Sequence, residues 1–409
     1  MDVRAARSDP DRFRTALERK GSAATFDAFL AADEEWRLAD AEVGSLRSRT
    51  RPKGRPSEAE IAVLAQLKDD LRVAEATLDV LAARRDELLA VIPNPPDDSA
   101  PDGDSDEDAE EIRKVGEPPT FAFAPRSHME LGGFDTERAT RLSGTRFAYR
   151  MGATALLELS LYRYALDHLV ALGFTPVLPP VVVREEALYG TGFLPTDESN
   201  LYHVEPDGLY LSGTSEVALA GLHQGEILDA SEMPLRYAGY STNFRREAGA
   251  AGRDTKGIMR LHQFDKVEMY FYTFPDRSKE NHEEILAIEE AIVGGLGLVY
   301  RVINTAAGDL GPSAAKKFDI EAWLPSEGRY REITSCSNTT DYQARRLGIR
   351  YRDGSALAAP HTLNGTAMTA RFLVALLETF QDEGGKVAVP EILHAFGAPA
   401  FIDQTSPTH

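Results

Sequence analysis

From Phe29 to Leu88, apolar residues return at alternating spacings of three and four, and that regularity commits the early part of the chain to long helices. Phe29, Ala32, Trp36, Ala39, Val43 and Leu46 form one stripe; Leu64, Leu67, Leu71, Ala74, Leu78, Leu81 and Leu88 form a second. Each set lies along one side of a helix, and a seam that narrow is covered by a partner helix. Ser57 and Glu60 have the spacing of a capping box that opens the second helix. Pro52, Gly54 and Pro56 interrupt the pattern between the two stripes, so the reading is an antiparallel coiled-coil hairpin. Arg47, Arg49, Arg51, Lys53 and Arg55 gather at its tip, with no acidic residue from 47 to 55. A solvated loop accounts for such a tip, and so does a phosphate-contacting end on a rigid lever. Ahead of the hairpin, residues 8–20 read as a short helix with Ser8 as N-cap and Pro10 in its first turn.

Ile92-Pro93-Asn94-Pro95-Pro96 ends the second helix. The acidic, Ser/Gly/Pro-containing residues after it cannot build a core and predict a linker over 97–115, with no binding role. From residue 116 the pattern is mixed. An amphipathic helix is expected over 154–172, closed by Gly173. Pro176, Pro179 and Pro180 exclude the next extended segment from a central strand position. Short strands are expected near 201–204, 209–212, 235–244 and 258–273, an order that favours an antiparallel sheet. A late helix begins near Arg371 with Leu373, Leu376, Leu377 and Phe380 as its apolar stripe. The fold class is α+β.

The 409 residues suffice for two or three domains, and 43% hydrophobic with 27% charged residues is an ordinary globular balance. A net charge of −20 speaks against a general nucleic-acid binder and leaves room only for a local basic patch, such as the hairpin tip. The single cysteine, Cys336, excludes a disulfide within the chain and a multi-cysteine zinc site; no zinc is expected. No apolar run reaches membrane-spanning length and the Met1-Asp2-Val3-Arg4 start lacks a signal-peptide core, so the expected location is cytoplasmic, with no membrane partner. Rossmann and Walker glycine patterns are missing, so a nucleotide is not held in those ways.

The chemistry concentrates in Phe244-Arg245-Arg246-Glu247 and, after a polar loop, Arg260-Leu261-His262-Gln263-Phe264-Asp265-Lys266-Val267-Glu268. As two strands joined by a long loop, the second alternates its side chains and sets Arg260, Phe264 and Glu268 on one face. At about 3.3 Å per residue, Phe264 and Glu268 stand roughly 13 Å apart. A cation, an aromatic plane and a carboxylate in a row suit an extended ligand carrying a phosphate, a ring and an amine.

The Phe-Arg-x-Glu string resembles motif 2 of class II aminoacyl-tRNA synthetases, and in this wording it resembles the seryl-tRNA synthetases. The resemblance runs from about Glu117 to Phe396 and more loosely through the N-terminal region. Phe174 to Pro180 resembles motif 1, the dimer-interface element; Leu363-Asn364-Gly365-Thr366 with Arg371 resembles motif 3; Tyr330-Arg331-Glu332-Ile333-Thr334-Ser335 resembles the metal segment. The resemblance implies that residues 1–96 form a tRNA-binding arm and 116–409 the catalytic domain of a homodimer. It implies that serine and ATP give seryl-adenylate and pyrophosphate. The seryl group then passes to the 3′ end of tRNA(Ser), with tRNA(Sec) an open alternative. By the same likeness Arg245 and Arg371 are catalytic, and Thr214, Ser215, Glu216, Glu268, Asn364 and Thr366, with Arg245, form the serine pocket. The family pattern further implies that ATP meets Arg245, Arg246, Glu247, Arg260, Phe264, Glu332, Ile333, Thr334, Ser335 and Arg371. It makes Glu332 and Ser335 the holders of Mg²⁺; three positions apart, they share a face only across a bulge or strand end. It also gives the basic tip residues a contact with tRNA.

Two other readings fit parts of the sequence. A hairpin read as shorter than the family's arm suits a paralogue serving natural-product synthesis or loading a carrier protein. A catalytically silent regulator would be expected to have lost Arg245, Glu332 or Arg371, and all three are present.

Overall fold

The computed structural model describes residues 1–51, 57–248 and 257–403. Two compact units result, Met1–Pro95 and Pro96–His409.

The first unit is helical. Its two long helices, α1 (Ala23–Arg49) and α2 (Glu58–Val91), pack along each other, with Val43, Leu46 and Leu67 buried. The Ser57–Glu60 capping box opens α2 as the sequence implies. At the base, Phe13, Leu17, Phe26, Phe29 and Ile92 form a small core. Asp33, buried on α1, is held by Arg7 at 2.6 Å, Arg37 at 3.2 Å and Arg85 at 3.3 Å. Burial pushes this carboxyl up and the arginines, Arg7 foremost, pull it below its ordinary value. The expected helix 8–20 is instead two, Val3–Ser8 and Pro10–Glu18. Asp9, not Ser8, caps the second: its carboxylate accepts the Arg12 N–H, while the Ser8 hydroxyl donates to the Ala5 carbonyl. At the tip, Arg47 pairs with Glu75 of α2 at 2.8 Å, an acid that the linear reading of 47–55 did not include. Lys53 and Arg55 lie outside the described residues.

The second unit is built on eight strands: β1 (Glu110–Val115), β2 (Thr175–Val177), β3 (Leu235–Phe244), β4 (Gln263–Thr273), β5 (Tyr300–Asn304), β6 (Lys316–Leu324), β7 (Arg329–Thr340) and β8 (His361–Thr369). They run β1-β5-β6-β7-β8-β4-β3-β2 across the sheet, antiparallel except where β2 lies parallel to β3. Proline-bearing β2 takes an edge, as its missing N–H requires. Central β4 is covered on both faces. Val267, Met269 and Phe271 enter a core shared with α3 (Ala153–Ala171), α5 (Ser278–Gly295) and α6 (Ala370–Thr379). Tyr270 and Tyr272 bury into a second cluster, where the Tyr272 hydroxyl donates to the Leu219 carbonyl at 2.6 Å on the short helix α4 (Ser215–Gly221). The same alternation leaves Phe264, Lys266 and Glu268 on that second face, beyond the tyrosines.

The segment 97–115 departs from the expected linker. Residues 110–115 are β1, paired with β5 from Glu110↔Asn304 to Val115↔Tyr300. Ala100 is buried with Ala307, Leu310 and Ala314, and Lys279 holds Asp97 at 2.8 Å. An open sheet edge offers backbone hydrogen bonds whatever the side chains are, and those of β1 all remain exposed. Low hydrophobicity therefore removes a core position here but not a strand.

Candidate active site

A cavity of about 350 Å³ opens on the second face of the sheet, where β4, β7 and β8 lie side by side and the end of β3 and the start of α6 reach in. Its size suits a small-molecule ligand.

At its centre Arg245 leaves the end of β3. Its Nε donates to the Gly213 carbonyl at 3.1 Å, and its guanidinium carbon stands 5.3 Å from the Phe264 ring centroid. Glu247 adopts φ +51° and forms an ion pair with Arg260. Arg260 precedes β4 rather than belonging to it, so the expected strand start at 258 shifts to Gln263; a loop, not strand alternation, brings Arg260 to the cavity. Arg371, near the start of α6, donates from Nε to the Met259 carbonyl at 3.3 Å and from Nη1 to the Glu332 carbonyl at 3.0 Å.

Glu332 and Ser335 both line the cavity, across the bulge their spacing demands. In β7 the register passes from Ile320↔Thr334 to Glu321↔Glu332, leaving Ile333 as the extra residue. Arg371 Nη1 lies 3.3 Å from Glu332 Oε2. Burial favours the protonated form of Glu332, but Arg371 and Lys317 outweigh it and hold the carboxyl at about 2. A carboxylate kept ionised beside a hydroxyl is a hard-oxygen donor set, and it fits a Mg²⁺ that keeps most of its shell as water and phosphate. Among the described residues no group of three or more His, Cys, Asp or Glu side chains is placed to cage a metal without such help.

The far end is acidic. Glu216 accepts from Gln343 Nε2 at 2.7 Å and from Asn364 Nδ2 at 2.9 Å. Burial, and then the Glu268 charge, raise its carboxyl to about 7. Glu268 is buried beside Lys266, with which it forms an ion pair, and burial raises it too. Thr214 and Thr366 complete this end; Thr334 donates to the Thr366 carbonyl and ties β7 to β8. Two carboxylates sharing one lysine form a pocket that can take up a further cation, such as an ammonium group.

The structure thus brings Thr214, Glu216, Arg245, Glu247, Arg260, Phe264, Glu268, Glu332, Ile333, Thr334, Ser335, Asn364, Thr366 and Arg371 to one cavity. Ser215 and Arg246 do not line it. The Ser215 hydroxyl turns to Ser241 at 2.6 Å and the Gly239 carbonyl at 3.3 Å, and the Arg246 N–H donates to the Asn200 carbonyl. Sequence reasoning passed over Lys266, although the period of two that selected Phe264 and Glu268 selects it as well. It also missed Gln343 and the partly buried pair Lys317–Asp319, 2.9 Å apart.

Residues 1–96 match the model described as the seryl-tRNA synthetase N-terminal domain, and residues 202–380 match the tRNA synthetase class II core domain (G, H, P, S and T). The serine–tRNA ligase of Acidothermus cellulolyticus is 47% identical over 410 residues, 97% of each chain. The chain belongs to the seryl-tRNA synthetase family. Solved structures agree over nearly the full length. The seryl-tRNA synthetase of Pyrococcus horikoshii, complexed with ATP, superposes with a TM-score of 0.93 at 38% identity, covering 98% of this chain and 99% of that one. The cytoplasmic serine–tRNA ligase of Naegleria fowleri, in complex with AMP, gives 0.86 at 33% identity, covering 97% and 96%. The helical N-terminal unit and the antiparallel sheet are therefore the two parts of a class II aminoacyl-tRNA synthetase.

Proposed function

We propose that this cavity joins serine to ATP and that the chain then passes the seryl group to the 3′ end of tRNA(Ser). The supporting observation is the order of groups along one face: buried carboxylates at one end, the Arg245 guanidinium in the middle, and Phe264 with Glu247 and Arg371 at the other. Glu216 and Glu268 take the serine ammonium and hydroxyl with Thr366, and polar groups left unpaired by alanine would reject it. Arg245 bridges the serine carboxylate and the α-phosphate. It neutralises charge where the pentacovalent transition state concentrates it and, fixed by Gly213, does so without reorganising. The serine carboxylate is already ionised at neutral pH, so attack needs no general base. Phe264 offers the adenine a stacking plane and Glu247 accepts from its amino group. Glu332 and Ser335 would hold a Mg²⁺, which would supply neutralisation of ATP phosphate charge.

The basic hairpin tip grips tRNA as a phosphate contact. A homodimer is part of the same reading: α3 presents Leu156 and Leu159, 53% and 59% exposed, and Leu178 beyond β2 is 81% exposed. A cytoplasmic location agrees with described helices none of which is long and apolar enough to cross a membrane. Serine-dependent ATP–pyrophosphate exchange tests the assignment. Arg245→Ala should reduce it by about 10³-fold, the scale of a lost oxyanion donor; retained exchange overturns the role given to Arg245.

A further inference from the structure

The turn carrying Arg245 and Glu247 is held from outside the cavity on several sides. His262 bonds the backbone N–H and carbonyl of Arg245, Arg146 Nη1 donates to the Glu247 carbonyl at 3.4 Å, and Asn200 takes the two N–H groups that flank Glu247. The Arg246 N–H donates to the Asn200 carbonyl at 2.8 Å, and the Ala248 N–H donates to Asn200 Oδ1 at 2.8 Å. Both backbone donors flanking Glu247 are thereby taken by Asn200. Glu247 itself sits at φ +51°, a left-handed conformation that an L-residue holds only when its surroundings impose it. The Asn200 amide is oriented in turn: its Nδ2 donates to Asp197 Oδ1 at 2.6 Å, which turns Oδ1 toward Ala248. Asn200 closes the short turn Glu198–Asn200, just before the strand Tyr202–Val204, so the grip comes from a segment about 50 residues away in sequence. Arg260 pairs with the Glu247 carboxylate from the other side.

We infer that Asn200, set by Asp197, is a positioning residue for the nucleotide: it clamps the 246–248 turn so that Glu247 faces the base. Asn200 does not itself line the cavity. The inference rests on the reading of Glu247 as the base contact. Releasing the clamp frees the turn, so ATP binding weakens while serine binding, set by Glu216 and Glu268, does not.

The test uses the full-length protein and separate KM values for ATP and serine in pyrophosphate exchange. Asn200→Ala removes the side-chain acceptor of the Ala248 N–H and keeps the carbonyl that holds the Arg246 N–H. It should raise the ATP KM about tenfold, the upper scale of one hydrogen bond, and leave the serine KM within about twofold. Asn200→Asp sets two carboxylates against each other and should be as damaging. Combining it with Asp197→Asn restores an acceptor for Ala248 and a donor to hold it, and should return the ATP KM to within about twofold of the parent. An unchanged ATP KM in Asn200→Ala, parallel rises in both KM values, or a double variant no better than Asn200→Asp overturns the inference. Glu247→Ala separates the two layers. If it leaves the ATP KM unmoved, the base-contact reading fails, and the clamp is then judged by amide exchange at Ala248, which Asn200→Ala must accelerate for the clamp to stand.

Discussion

At the level of single residues, the acidic end of the cavity ties chemistry to pH. Glu216 is raised from 4.5 to about 7 by burial and by Glu268, so the folded chain holds a proton there that the unfolded chain releases above about 4.5. Its contribution to stability is therefore intact below about pH 4.5, is lost as pH rises toward 7, and stays lost above. Glu216→Gln should melt higher than the parent at pH 8 and level with it near pH 5, as thermal scans at about those two pH values would read. On the proposed role of Glu216, the same substitution removes the anion that would meet the serine ammonium. In the parent, kcat/KM for serine should fall as pH drops through about 7, because the free enzyme's carboxyl is then neutral. In Glu216→Gln that limb should vanish and the value stay low throughout. A melting difference that does not grow with pH would argue that Glu216 is not the buried group titrating there.

Among the elements, strand register decides which chemistry shares a face. The bulge at Ile333 turns Glu332 and Ser335 to one side, and the pairing of β8 with β4 and β7 places Gly365 between Met269 and Cys336. Gly365 points behind the sheet while its neighbours Asn364 and Thr366 face the cavity. A methyl group there would stand 2.4 Å from Ile285 Cγ2, 3.0 Å from Glu289 Oε1 and 3.1 Å from Met269 Cε. Gly365→Ala should cost about 1–3 kcal/mol of stability by overpacking, and the shift it forces on β8 should raise the serine KM. Denaturant titration with exchange kinetics checks both; a variant as stable as the parent would show that α5 yields easily. The motifs around these positions were legible because alternation is a local property. The placement of β1 was not, since an edge strand needs a neighbour's free backbone rather than apolar side chains of its own.

For the whole molecule, the expectation concerns the division between activation and transfer. Replacing Arg47, Arg49 and Arg51 together by Ala should lower tRNA charging at least about tenfold, weaken its salt dependence, and leave serine-dependent exchange running. Unchanged charging would mean that the hairpin tip does not grip tRNA. The triple change also removes the Arg47–Glu75 pair, whose 2.8 Å contact is exposed and contributes little to stability, so the melting temperature should barely move.

The sequence alone determined the helical hairpin, the pairing of the two strands that carry Arg245 and Phe264, and the kinds of charge brought to the reaction. Each is written in spacing and residue type over a few positions. The tertiary structure alone decided which distant groups hold those residues: Asn200 on the 246–248 turn, Gln343 on Glu216, and Lys317 with Arg371 near Glu332. It also set the opposite protonation tendencies of Glu216 and Glu332. Burial and the distance to a neighbouring charge depend on segments far apart in the chain, and no local pattern carries them.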